Sequence, residues 1–306
     1  MARFSSTPAP RLAPAAAEGS VLTPNDLETL RLAVERLERP TLAARVADYA
    51  GQPVNAATKY LPKAVGHRLR SAVRKAIYQC LEVAIASLEP DETGPPLNWT
   101  PKLLTGLTGG IGGVFGLVGL PFELPLTTTL MLRAIADIAR AEGEDLASLE
   151  TRLACLEMFA LGGRSPSDQM DVDYYAVRAV LTKLTGEVSA YVMERGAMNA
   201  SSPIIARLVG EIAGRFGLAL SERVVAGAVP IIGAVGGASV NMIFMDHFQR
   251  VASGHFAVRR LERAYGVTAV RGLYEALAAK SRAPGHGPPR PRRALHRFGL
   301  RAQSQA

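Results

Sequence analysis

Residues 103–122 read LLTGLTGGIGGVFGLVGLPF, twenty positions without a charge between Lys102 and Glu123, seven of them glycine. A glycine in an exposed helix interior costs about 1 kcal/mol relative to alanine. Seven would melt an isolated helix in water, so the stretch needs close approach of another backbone, or a medium that forbids unpaired backbone groups. The pairs Gly106/Gly110, Gly109/Gly113 and Gly112/Gly116 are each four apart, which sets them on neighbouring ridges of a helix. A second uncharged run, VVAGAVPIIGAVGGASVNMIFM, fills residues 224–245, with Gly233/Gly237, Gly236, Ala234 and Ala238 repeating the small-residue spacing. At about 1.5 Å per residue, twenty residues match the roughly 30 Å of a bilayer core. Against a plain spanning helix stand Pro121, Pro125 and Pro230, which kink or break helices, and Asn241, which needs a polar partner in lipid. Three readings stay open: a buried or re-entrant glycine hairpin inserted peripherally, true spanning segments, and the core of a soluble bundle. The first is carried forward.

Outward from these segments the chain is punctuated as helices. Thr23-Pro24-Asn25-Asp26 offers a cap, a first-turn proline and an acid at the third helical position, opening a helix to about Arg39. A short helix follows from Pro40 to near Gly51. After Pro62, Leu69, Val73, Ile77, Leu81, Ile85 and Leu88 recur every three or four residues. Four prolines make 89–101 a loop. Further helices are expected over 103–141, 148–161, 174–195, from Ser202-Pro203 to a left-handed cap at Gly217, from Leu218 through Met245 to about Tyr265, and over 268–280. Strand-like alternation never persists. The expected fold is all-α, a multi-helix bundle with two glycine-rich apolar central helices. One domain is expected over 23–280, between a disordered arm (1–22) and a disordered basic tail (281–306).

The formal charge of +8 is a property of that tail. Seven basic residues and no acid lie between Lys280 and Arg301, leaving 28 basic against 27 acidic residues elsewhere. A neutral body speaks against a nucleic-acid face, so nucleic acid is not an expected partner. The first twenty residues lack the apolar core of a secretory signal, and the reading is cytoplasmic. Cys80 and Cys155 sit in apolar helical patterns and read as small buried hydrophobes.

Chemistry is hard to find. No nucleophile motif, phosphate loop or metal-ligand spacing occurs, and no cofactor or metal is expected. Glu123, Arg133, Asp137 and Arg140 form the most suggestive charged set, with Arg133 and Asp137 on one helix face. They read either as a polar switch or as an ion-pair network. Asn241, Asp246 and His247 close the second uncharged segment, but adjacent helical residues diverge by about 100°, so Asp246 and His247 make no ready dyad. Lys59, Lys63, Arg68, Arg70, Arg74 and Lys75 precede or begin the stripe at Leu69, and no acid lies between Asp48 and Glu82. This is a basic amphipathic helix of the kind that lies on anionic lipid, or equally a solvated face.

The run GGIGGVFGLVGLPFELPLTTTLMLRAIADIARAEGEDL (109–146) resembles the central signature of the EcsC protein family. The likeness sits on Gly109, Gly110, Gly112, Gly113, Gly116, Glu123, Pro125, Arg133, Ile135, Ala139, Gly143 and Asp145, and departs at Glu123, where an aspartate is expected in relatives. VPIIGAVGGASVNMIFMDHFQRVASGHFAVRRLERAYG (229–266) is similar to the family's C-terminal block, through Pro230, Gly233, Gly236, Gly237, Asn241 and Arg260 to Tyr265-Gly266. CLEMFALGG (155–163) and DYYAVRAVL (173–181) look like intervening family segments. The resemblance covers about residues 30–280. It implies membrane association and, for some members, a place beside transporter components, with no established activity. The expectation is a non-enzymatic, membrane-associated helical protein whose partner is lipid. An accessory subunit of an ABC transporter or other membrane complex is the alternative, and a hydrolase with an unrecognised site the third.

Overall fold

The computed structural model describes residues 21–38, 63–86, 116–163, 174–195, 199, 202–228 and 230–282. The fold is an all-α bundle. Among the described residues there are eight helices and no strand: α1 Pro24–Glu38, α2 Lys63–Ala86, α3 Gly116–Ala141, α4 Leu149–Leu161, α5 Tyr174–Arg195, α6 Pro203–Ala228, α7 Pro230–Tyr265 and α8 Val267–Arg282. The expected helix at 40–51 lies outside them, as does Leu88.

Local chemistry starts α1 as its sequence suggests. Thr23 Oγ1 accepts from the Asp26 backbone N–H at 3.1 Å and donates to the Asp26 carboxylate at 2.8 Å. Leu22, placed in the arm by sequence, packs into the core, and α8 runs to Arg282, just past the expected boundary. Gly217 caps nothing. Helix α6 continues through it to Ala228, and the left-handed glycines are Gly143 and Gly266, ending α3 and α7.

The helix buried on every side is α4, whose Leu149, Thr151 and whole run from Leu153 to Leu161 are shielded from solvent. Residues 103–115 and the side chains of 116–126 and 222–241, on which the expected glycine-rich centre rests, lie outside the described ones. Around α4, a cluster of Phe159, Phe216, Phe244 and Phe248 joins α4, α6 and α7 with ring centroids 4.9–6.1 Å apart. Helix α7 is the long strut. Leu37 and Ala33 of α1 press on it at Gly254, where a Cβ would lie 2.9 Å from Leu37 Cγ and 3.2 Å from the Ala33 carbonyl oxygen.

Two orientations matter for function. Helix α6 ends at Ala228 and α7 begins at Pro230, and Phe216 packs on Phe244 and Phe248, so the two helices double back on each other as a hairpin. The 22-residue uncharged run 224–245 is therefore the turn and flanks of that hairpin. Its longest helical piece, 230–245, has about 24 Å of length at 1.5 Å per residue, short of a bilayer core. Among the described residues no helix is long and apolar enough to cross a membrane. Second, α3 and α7 pack together and meet at their C-terminal ends, where Arg260 reaches Glu142 at 2.9 Å and Arg259 reaches Glu144 at 2.8 Å. They run in the same sense, so Gly116 at the start of α3 points towards the hairpin end.

Candidate functional site

The described charges divide into an inner seam and an outer surface. The seam runs between α4, α5 and α7. Arg178 grips the Glu262 carboxylate with two hydrogen bonds, 2.8 and 2.6 Å, and Tyr175 donates to the same carboxylate at 3.0 Å. Beside it Tyr174, Tyr175 and Tyr274 stack within 5.0–5.2 Å, and the Tyr174 hydroxyl is hydrogen-bonded to His255 Nδ1 at 2.9 Å. His255 is fully buried, and its Nε2 has no partner among the described residues. Burial, with Arg178 and Arg259 nearby, holds the ring well below the usual histidine range, hence neutral.

Further along, Glu144 takes hydrogen bonds from Arg259 and Arg263. Burial pushes this carboxyl up, but the two guanidiniums more than offset that and hold it below the usual range. Asp26 is held low chiefly by the Tyr265 hydroxyl, 2.7 Å away, with Thr23 and Arg260 adding to this against the effect of burial. Glu157 is the exception. It is 3% exposed, its one hydrogen-bond donor among the described residues is the Thr185 hydroxyl at 2.8 Å, and burial lifts its carboxyl to about 7. Arg259 and Arg178 are near enough to oppose that rise but make no ion pair with Glu157. Both cysteine thiols are buried and pushed up to about 12 by burial, so neither presents a thiolate. Among the described residues no group of three or more His, Cys, Asp or Glu side chains is placed to hold a metal.

The residues expected from sequence are scattered. Asp137 pairs with Arg140 at 2.5 Å on an exposed face, a local ion pair. Arg133 is half-buried on the same helix, and Glu123 lies on α3 with its side chain outside the described ones. Asp246 pairs with Arg250 one turn on, at 2.9 Å. His247 turns inward and donates from Nε2 to the Gly162 carbonyl at 2.8 Å, because a carbonyl can only accept. Asp246 and His247 thus part company, as their helical spacing requires. Asn241, Gly233, Gly236, Gly237 and Gly116 lie on helical backbone, while Gly106, Gly109, Gly110, Gly112 and Gly113 fall outside the described residues.

The glycines whose packing is visible are others. A Cβ at Gly163 would stand 2.2 Å from the Arg215 carbonyl oxygen, and one at Gly162 would stand 2.4 Å from the Phe248 ring. Sequence reasoning missed these and the whole inner seam. The available signals were the glycine pair ending CLEMFALGG and the lone charge, Glu157, within the apolar run 153–161.

On the outer surface α2 divides cleanly. Leu69, Val73, Ile77, Leu81 and Ile85 are buried in the core, against α3, α4 and α6, so this stripe is not available to lipid. Arg70, Arg74 and Lys75 are exposed on the far side. Lys63 and Arg68 lie on the same helix with side chains outside the described ones, and Lys59 is outside altogether. Ser71, Arg74, Lys75 and Tyr78 line a depression of about 270 Å³ whose opposite wall is Ile205, Ala206 and Val209 of α6.

A model of the EcsC protein family matches residues 25–261, from α1 to one turn before the end of α7. No curated protein and no solved structure matches the chain. The match takes in the cationic helix, the α6–α7 hairpin and the part of the inner seam before Glu262, and the chain belongs to the EcsC protein family.

Proposed function

We propose that this protein is a non-enzymatic helical protein that binds membrane surfaces peripherally, inserting the charge-free end of the α6–α7 hairpin while the outer face of α2 holds anionic headgroups. The observation that carries the reading is the hairpin. Residues 224–245 hold no charge and place their helix break at Pro230, so the chain enters and leaves on the same side. At the base of the hairpin Leu218 and Met242 lie 47% and 68% exposed, apolar side chains that water penalises and an acyl boundary accepts. The uncharged start of α3 points to the same end.

The cations supply the second contribution. Arg70, Arg74 and Lys75 are exposed on the outer face of α2, Arg74 and Lys75 across from the first turns of α6. Each basic residue near an anionic surface adds about 1 kcal/mol. The inner seam then has a structural task. It locks α1, α5 and α7 into a rigid body that carries the insertion device.

Flotation of the purified chain with vesicles tests this. Binding is expected to phosphatidylserine-containing vesicles, weaker binding to phosphatidylcholine alone, and loss in the L218E/M242E variant with its melting temperature unchanged. Recovery of the wild type wholly in the soluble fraction, with or without anionic lipid, overturns the proposal.

A further inference from the structure

We infer that α8 is a hinged cover that closes from Gly266 over the Tyr175–Glu262–Arg178 node of the inner seam and opens while α1–α7 stay folded. The inference is independent of the membrane reading. Gly266 is the single residue between α7 and α8, and its φ of +88° is a left-handed turn that glycine makes without strain. Among the described residues nothing lies within 4 Å of a Cβ there, so the pivot is not packed in place. Beyond it α8 lies along α1 and α7 and buries one side chain per turn, Val270, Tyr274 and Ala278. Leu277 adds a half-buried contact, while Val267 and Leu273 are exposed. Gly272 weakens the helix from within, and among the described residues nothing packs beside it. Apart from Leu22 and those three α8 residues, the described buried core comes from α1–α7 alone. A helix held by so narrow a seam belongs to the low end of local stabilities, and the bundle beneath it keeps its own core.

The cover shields the tie between α5 and α7. The Tyr274 ring centre lies 5.1 Å from that of Tyr174 and 5.2 Å from that of Tyr175, and the Arg271 guanidinium stands 5.2 Å from the centre of the Tyr175 ring. The Tyr274 hydroxyl donates to Glu38 at 2.9 Å, which latches the cover to α1. Tyr175 donates to Glu262, the carboxylate that Arg178 grips, and these bonds join α5 to α7. Closed, Tyr274 is one aromatic wall of that node and keeps it dry. Open, water reaches Tyr175 and, past it, the Glu262 carboxylate. An ion pair that is strong in a dry interior is weak in water. The position of α8 therefore sets how firmly α5 is held to α7.

Hydrogen exchange of the full chain in increasing urea, read by mass spectrometry, tests the opening. Amides of 271–280 should be at least about hundredfold less protected than those of 153–161 in α4, with a weaker dependence on urea. In Y274A, which removes the central ring of the seam, α8 should lose its protection while α4 keeps its own. A double-mutant cycle tests the shielding. R178M should change the unfolding equilibrium at least about tenfold less in the Y274A background than in the wild type. Exchange of α8 in step with α4, loss of α4 protection in Y274A, or an R178M effect equal in the two backgrounds overturns the inference.

Discussion

The Thr185 hydroxyl on α5 donates to the Glu157 carboxylate on α4 at 2.8 Å, and it is the one hydrogen bond that this buried acid receives among the described residues. Burial raises the carboxyl from 4.5 to about 7, so the folded chain holds a proton that the unfolded chain releases. Stability on this account is greatest below about pH 4.5, falls as pH rises through the interval to about 7, and is flat above it. At about 1.36 kcal/mol per unit the decline amounts to roughly 2–4 kcal/mol. E157Q should abolish the slope and stabilise the protein at pH 8. T185V removes a bond that favours the ionised form and should extend the decline beyond pH 7. Urea denaturation at a series of pH values reads both.

Arg178 and Glu262 make a well-shielded ion pair, with side chains 16% and 5% exposed. Removing only the guanidinium, as in R178M, leaves a buried carboxylate held by Tyr175 alone and should cost about 3–5 kcal/mol. The R178M/E262M double variant should recover much of that loss, because the uncompensated charge goes with it. A double variant as unstable as R178M, by chemical denaturation, would mean that the tyrosine stack rather than the charge sets the cost.

Gly163 and Gly214 should respond to alanine with opposite signs. The added Cβ at Gly163 meets the Arg215 backbone at 2.2 Å, which no side-chain rotation relieves, so G163A should destabilise by about 2 kcal/mol or more. Among the described residues nothing lies within 4 Å of a Cβ at Gly214 in the middle of α6, and G214A should stabilise by about 0.5–1 kcal/mol. Thermal melts of the two variants beside the wild type test the contrast.

Cys80 and Cys155 are buried, and their thiols are pushed up to about 12. In native buffer both should resist a thiol reagent and react at the rate of global or sub-global opening. The measurement is labelling time against urea concentration, with fast labelling of either thiol in the absence of urea as the contrary result.

The element types were legible because helix periodicity and capping act over a few residues. Thr23 to Asp26 set the start of α1, and Tyr174 to Arg195 is the helix its apolar spacing describes. The stripe from Leu69 to Ile85 is legible as an apolar face, but its destination is not. A stripe states that it must be covered, and α3, α4 and α6 cover it here. Gly217 looked like a cap because glycine permits a left-handed turn, yet permission is not requirement, and the packing of Phe216, Ala219 and Leu220 keeps α6 going.

By itself the sequence determined the helical class, the family, the two uncharged segments and the placement of positive charge on one side of α2. The tertiary structure alone decided that residues 224–245 turn back on themselves, that Asp246 faces out while His247 faces in, and that Arg178 finds Glu262 across 84 positions. The reason is range. Propensity, capping and periodicity are local energies written in neighbouring residues. Which buried charge meets which depends on how whole helices share one interior, and no short stretch of chain encodes that alone.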